Sequence, residues 1–269
     1  MKDVLFAVLC GVLPAVAAAL LLFGVAGKRC LGLSIGIALF GAFGLLDQVW
    51  PILPHELYQG GNQYQQWLCW SAVVAGLLGF ASGPGWFVMP MSVLLIGAEI
   101  WLMLTNRRGS MALPEIVITH GLAFVLVTTT FLALRRIAER RDGIGIAFAI
   151  CVLMSVDAGL LGLGGSWLLA QLAGTTAAVM ATALLTALWH RPFLMGAPSM
   201  LAVTVVHGGL LLAGYFFSDM RAEVAVLAAG SPVTLLLAGG GAGRSGWRFA
   251  CAVLAMSSVL YIAVLLSLR

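Results

Sequence analysis

The chain has 269 residues, of which 62% are hydrophobic and only 9% are charged. Soluble domains are about 45–50% apolar and about 25% charged, so a chain of this composition cannot cover its surface with polar groups in water. These values exclude a soluble enzyme, a nucleic-acid-binding module and a disordered tail. They predict an all-α integral membrane protein with the lipid bilayer as its surroundings.

Apolar runs divide the chain into ten segments of membrane-crossing length. A helix needs about 20 apolar residues to span a hydrocarbon core of about 30 Å. In chain order the predicted spans are 4–26, 31–50, 66–82, 85–105, 112–134, 143–163, 166–189, 193–217, 222–239 and 247–268. The first run ends at Lys28 and Arg29, so it is predicted to be a retained membrane helix and not a cleaved signal peptide. The short segments 66–82 and 222–239 leave eight or nine spans as alternatives.

The distribution of positive charge predicts an orientation. Nine of the fourteen Lys and Arg residues fall on one side of the ten-span arrangement, and the run from Arg135 to Arg141 is the densest cluster. By the positive-inside rule this side is cytoplasmic, which places both termini outside. The expected location is the inner (plasma) membrane of a bacterium.

Two similar stretches indicate an internal duplication. Pro90-Met-Ser-Val-Leu-Leu-Ile-Gly97 resembles Pro232-Val-Thr-Leu-Leu-Leu-Ala-Gly239. A duplication would divide the single membrane domain into halves 1–136 and 143–269, five helices each, inverted relative to one another and joined by the Arg-rich loop. Many secondary transporters place their site at the midplane between such halves. Chance similarity between apolar runs is the alternative interpretation.

This layout resembles the drug/metabolite transporter superfamily, especially its EamA-type members. Pro90 followed by Glu99 is similar to the proline, apolar run and glutamate of the family's fourth helix, and Pro232 matches the proline of the second half. Glu99 lies nearer to its proline than in the family, no acidic residue follows Pro232, and the family's termini are cytoplasmic. The resemblance implies a small-molecule carrier of five plus five helices.

Four ionisable residues fall well inside predicted spans, and these are Glu99, His120, Asp157 and His207. A charged group at bilayer depth costs about 2.5–3.5 kcal/mol on insertion scales, so each is a candidate for binding a substrate or a proton. Asp157 precedes a glycine-rich stretch, where helices can approach closely or expose carbonyl groups. His207 is suited to a proton relay. For each residue the alternative is a buried polar contact between helices.

Three functions stay open. The first is a small secondary transporter of a small molecule or ion, with the four ionisable residues at a midplane site. The second is a non-catalytic subunit or anchor of a larger complex, with partner subunits against its outer helix faces. The third is an intramembrane enzyme, although no HExxH, Gly-x-Ser-x-Gly or P-loop sequence occurs. We expect no catalytic residues, no metal, no cofactor and no nucleic-acid partner.

Overall fold

Nearly all of the residues that the structure describes are helical, and none of them lies in a β-strand. The computed structural model describes residues 31–46, 64–80, 85–104, 111–139, 143–189, 197–238 and 245–268, together with Leu13, Val16, Ala17, Ala19 and Leu20. In chain order the α-helices are α1 (Leu31–Leu46), α2 (Tyr64–Phe80), α3 (Gly85–Met103), α4 (Leu113–Ala138), α5 (Gly143–Leu163), α6 (Trp167–Trp189), α7 (Ala197–Phe217), α8 (Ala222–Gly230) and α9 (Ser245–Ser267). A 3-10 helix, Ser231–Ala238, follows α8 directly.

The all-α prediction is confirmed for the described residues, and α1 to α9 lie at the predicted segments from 31–50 onward. The predicted span 4–26 lies mostly outside the described residues. Within the described ranges five helices are long and apolar enough to cross a membrane, and these are Leu113–Ala138, Gly143–Leu163, Trp167–Leu188, Ser199–Phe217 and Arg248–Ser267. Shorter apolar helices are Leu31–Leu46, Phe87–Met103 and Ala222–Leu236. The count of ten spans therefore stays a prediction.

The segment 222–239 differs from the single span expected there. It is an α-helix to Gly230 and a 3-10 helix from Ser231. Proline has no N–H, and its ring clashes with the carbonyl group four residues earlier, which here belongs to Ala228. The N–H of Ser231 donates to that carbonyl instead, and the tighter winding continues beyond Pro232. In contrast, α3 continues through Pro90 as an α-helix.

Helix α7 lies at the centre of the bundle. It packs against α1 to α6 and against α8. Residues 199–211 are all buried, and they include the polar side chains of Thr204 and His207. A helix that is buried on every side must be apolar on every side or pair its polar groups with neighbouring helices. Any functional group on α7 is therefore held by the packing of the whole bundle.

Helices α1 and α2 meet backbone to backbone through glycines. A Cβ at Gly36 would lie 2.7 Å from Val73 Cα, and a Cβ at Gly76 would lie 2.7 Å from the carbonyl carbon and oxygen of Gly32. Gly32 and Gly36 are spaced as in a GxxxG sequence, which lets helices in membranes approach closely. Because lipid provides no hydrophobic drive between helices, this close van der Waals contact is a main source of their association.

We expect Gly36→Ala to destabilise the fold, because the new methyl group meets backbone atoms that cannot rotate away. Overpacking of this kind costs about 1–3 kcal/mol. Gly41→Ala on the same helix is the matched control, since a Cβ there has no described atom within 4 Å. Equilibrium unfolding of the purified chain in detergent measures both effects. Equal stability of the two variants would contradict the close contact between α1 and α2.

Candidate functional site

The site is built on two parallel helices, α5 and α7, whose carboxyl-terminal ends lie together. The N–H of Asp219, just after α7, donates to the carbonyl oxygen of Gly164, just after α5, at 3.0 Å. One turn earlier, a Cβ at Gly214 would lie 2.6 Å from Leu161 Cδ2, so the absence of a side chain lets the helices touch. This parallel arrangement brings the middle parts of α5 and α7 face to face.

The glycine-rich stretch after Asp157 forms the turn that makes this arrangement possible. The N–H of Ser166 donates to Leu161 O at 3.0 Å, and the N–H of Gly165 donates to Gly162 O at 3.1 Å. This pair of bonds is a Schellman motif, which ends a helix with a residue in the left-handed region. Gly165 has a φ of 84°, a conformation that favours glycine. Helix α6 therefore turns back beside α5, and α7 can return parallel to α5.

Asp157 and His207 form a hydrogen-bonded pair between α5 and α7. His207 Nδ1 lies 2.6 Å from Asp157 Oδ2, and the side chains of His207 and Asp157 are 1% and 0% exposed. Both of these sequence candidates are therefore brought together in a fully buried position. Such contacts are short when a charge assists them. The hydroxyl group of nearby Thr204 donates to its own helix, at Met200 O.

The outer atoms of the pair, Asp157 Oδ1 and His207 Nε2, are buried without a hydrogen-bond partner among the described residues. The short contact holds one proton between Nδ1 and Oδ2, on whichever atom carries it. A second proton on Nε2 makes the pair neutral overall, and its loss leaves a net negative charge among apolar helices. Burying such an unbalanced charge costs several kcal/mol. The negatively charged form of the pair therefore needs water or a cation beside it, whereas the neutral form does not.

Glu99 is also buried against α7, on another face. It is 1% exposed, and no described residue forms a hydrogen bond with its Oε1. A Cβ at Gly209 would lie 2.6 Å from Glu99 Oε1 and 2.5 Å from Leu68 Cδ1, so the glycine makes room for the carboxyl group. His207 and Gly209 point about 200° apart around the helix. The carboxyl groups of Glu99 and Asp157 therefore lie on opposite sides of α7.

His120 occupies a separate position between α4 and α3. Its Nδ1–H donates to Ile116 O at 2.8 Å, and its ring meets Trp101 edge to face with 6.0 Å between centroids. Its Nε2 is buried and has no partner within the described ranges. The structure thus pairs Asp157 with His207, and it places Glu99 and His120 in contacts of their own. In the described part of the chain no three His, Cys, Asp or Glu side chains are close enough to hold a metal ion.

An apolar groove of about 150 Å³ lies between α4, α7 and α8. None of the four sequence candidates lines it, although Gly208 at its inner end is the neighbour of His207 along the chain. Any water-filled cavity around the ionisable residues would therefore be distinct from this groove.

Two features of the site were not identified from the sequence. Gly209 provides the space that Glu99 occupies, and a small residue two positions from His207 was the available signal. The break in the α8 segment leaves Ser231 Oγ buried without a partner in the described structure, while Thr130 Oγ1 of α4 donates to Ala229 O at 2.8 Å. Pro232 belongs to one of the two similar stretches of the sequence, and the effect of a proline on the preceding helical turn is general.

Comparisons of the chain with family models, with curated proteins and with solved structures found no match. The resemblance to the drug/metabolite transporter superfamily stays a prediction.

We expect Asp157→Ala to lower the free energy of unfolding by about 2–3 kcal/mol, because it leaves His207 Nδ1 buried without a partner. Asp157→Asn should cost less, since its amide oxygen still accepts a hydrogen bond from Nδ1–H. Glu139→Gln is the control, as it removes an exposed carboxylate whose ion pair with Arg135 contributes about 0.5 kcal/mol or less. If chemical unfolding gave Asp157→Ala the same stability as Glu139→Gln, the pair would not stabilise the bundle.

Proposed function

We propose that this chain is a small secondary transporter of the bacterial inner membrane, in which the Asp157–His207 pair takes up and releases a proton during transport. The observation that carries the proposal is the short, fully buried contact between an acid and an imidazole on two helices of membrane-crossing length. Ionisable groups at bilayer depth cost free energy on insertion, and they usually serve a function.

The geometry of the pair suits proton exchange. His207 Nε2 is the exchangeable position, because Nδ1 is engaged with Asp157. When Nε2 gives up its proton, the pair becomes negatively charged and α5 and α7 then favour any rearrangement that brings water or a cation to it. A proton or cation therefore has differential affinity for two arrangements of the bundle, which is what coupling requires.

Glu99 provides a second acidic group in this proposal. It lies against the opposite face of α7, and its Oε1, which no described residue bonds, would accept a proton or a substrate ammonium group when α7 moves. His120 contacts Trp101 and has no role in the proposed proton exchange. The likeness to the drug/metabolite transporter superfamily, with two inverted halves and Glu99 after Pro90, is part of the same proposal, as is the outward placement of both termini.

The direct test is Asp157→Asn in liposomes that hold the purified full-length chain and a pH-sensitive dye in the lumen. Under an inward proton gradient, a panel of amino acids, sugars and organic cations is added outside, and solute-dependent proton movement is recorded. We expect one class of solute to move protons with the wild type and not with the Asp157→Asn variant. Glu139→Gln, at an exposed acid outside both sites, should behave as the wild type does.

A second measurement needs no substrate. Infrared difference spectra of the purified chain between about pH 5 and pH 9, the range in which imidazoles commonly titrate, should contain a carboxyl band that disappears in the Asp157→Asn variant and changes in the His207→Gln variant. A pair that holds the same protons over this whole range would end the proton-coupled proposal. The chain would then fit the alternative of a structural subunit in a larger membrane complex.

A further inference from the structure

The groove between α4, α7 and α8 has a closed end and an open end. At the closed end a Cβ on Gly208 would lie 2.7 Å from Val127 Cγ2, and Ala229 of α8 completes the wall. At the open end the lining residues are Ile118, Tyr215 and the first residue of α8, Ala222. About nine residues of α4 separate the two ends, so the groove extends for about 13 Å along the helix axis at about 1.5 Å per residue.

The lining of the groove is suited to hydrocarbon. Among the described residues that line it none is charged, and its side-chain hydroxyl groups belong to Thr119 and Tyr215. An enclosed apolar cavity of about 150 Å³ stays free of water but accepts a molecule such as benzene, and this groove has a similar volume and an apolar lining. Two of its walls, α4 and α7, are helices of membrane-crossing length. In a bilayer the molecules that reach such an opening are lipid chains.

The rim of the groove faces outward from the bundle. Ile118, Leu122 and Val226 are 68%, 51% and 42% exposed. These side chains border the opening between α4 and α8, so a chain from the surrounding lipid can enter sideways without moving a helix.

Charged side chains of both signs stand just beyond the open end. Asp219, Arg221 and Glu223 are all exposed and lie directly before α8 or in its first turn. Arg221 reaches Glu223 Oε1 and Leu266 O only at 3.4 Å in each case, so it makes no short bond with either. A headgroup with one phosphate and one ammonium group matches this set, whereas a purely anionic headgroup would meet two acids and one cation.

We propose that the groove binds one acyl chain of a zwitterionic phospholipid, with the phosphate of its headgroup at Arg221 and its ammonium group at Asp219 or Glu223. This lipid site requires no proton exchange at the Asp157–His207 pair, and the proposal stands whether or not the protein is a carrier. Because the end of the acyl chain would reach Gly208, a bound lipid would contact the central helix α7 one residue from His207.

The test uses the full-length chain in vesicles of phosphatidylethanolamine and phosphatidylglycerol. A trace of one lipid carries a photoactivatable diazirine in its acyl chain, in two parallel preparations that differ only in the headgroup of the tracer. Mass spectrometry of peptides then locates the label. We expect labelling in 118–127 and 222–229 several-fold above that at Leu254 and Tyr261, exposed residues of α9, and more label from the phosphatidylethanolamine tracer.

Ala225→Trp fills the groove and should reduce this labelling several-fold. Ala255→Trp is the matched control, because Ala255 is a half-buried alanine of α9 that does not line the groove, and its labelling pattern should equal that of the wild type. Label spread evenly over the exposed faces, as for ordinary boundary lipid, would overturn the proposal. Equal or greater labelling by the phosphatidylglycerol tracer would overturn it as well, and both readings come from the wild type even if the Ala225→Trp variant fails to fold.

Discussion

The hydrogen bond between Asp157 and His207 is the interaction on which the arrangement of the bundle depends. It joins α5 to the central helix α7 at 2.6 Å, in a place where neither side chain reaches solvent. Removing either partner would leave the other buried and unbalanced, which is far more costly than never having placed the pair there. The two helices must therefore keep their register, and the turn at Gly165 keeps them parallel. Because the Asp157–His207 pair holds two helices together, a change in its protonation would also change the stability of the fold.

Small residues determine how closely the other helices surround this pair. The absence of a side chain at Gly36 and Gly76 lets α1 and α2 touch through their backbones, and the same absence at Gly209 makes space for the carboxyl group of Glu99. At Gly36 and Gly76 a side chain would meet backbone atoms of the other helix, which cannot rotate away, whereas at Gly209 it would meet the ends of the Leu68 and Glu99 side chains. The close packing explains how α7 can carry polar groups at its centre while residues 199–211 stay buried.

The central helix links the two candidate sites. His207 turns toward Asp157, while the adjacent Gly208 closes the inner end of the groove between α4 and α8. A shift of α7 that relieves the charge of the pair would also change the shape of the groove. Ala229 of the groove wall lies two residues before the break at Ser231, where α8 gives way to a 3-10 helix, and its carbonyl oxygen accepts a hydrogen bond from Thr130 Oγ1.

The class of the protein follows from composition alone, because so apolar a chain requires buried or lipid-facing helices. Most of the α-helices in the described ranges lie at apolar runs of about 20 residues, which are long and continuous, although the run 222–239 divides into α8 and a 3-10 helix. The amino-acid sequence also identified Asp157, His207, Glu99 and His120 as costly groups. It could not indicate which of them meet, because Asp157 and His207 are 50 residues apart and lie on different helices. The spacing of residues along one helix does not relate them. Their pairing follows only from the turn at Gly165 and the parallel return of α7. Likewise the groove is formed by three helices together, so the sequence of any one segment could not predict it.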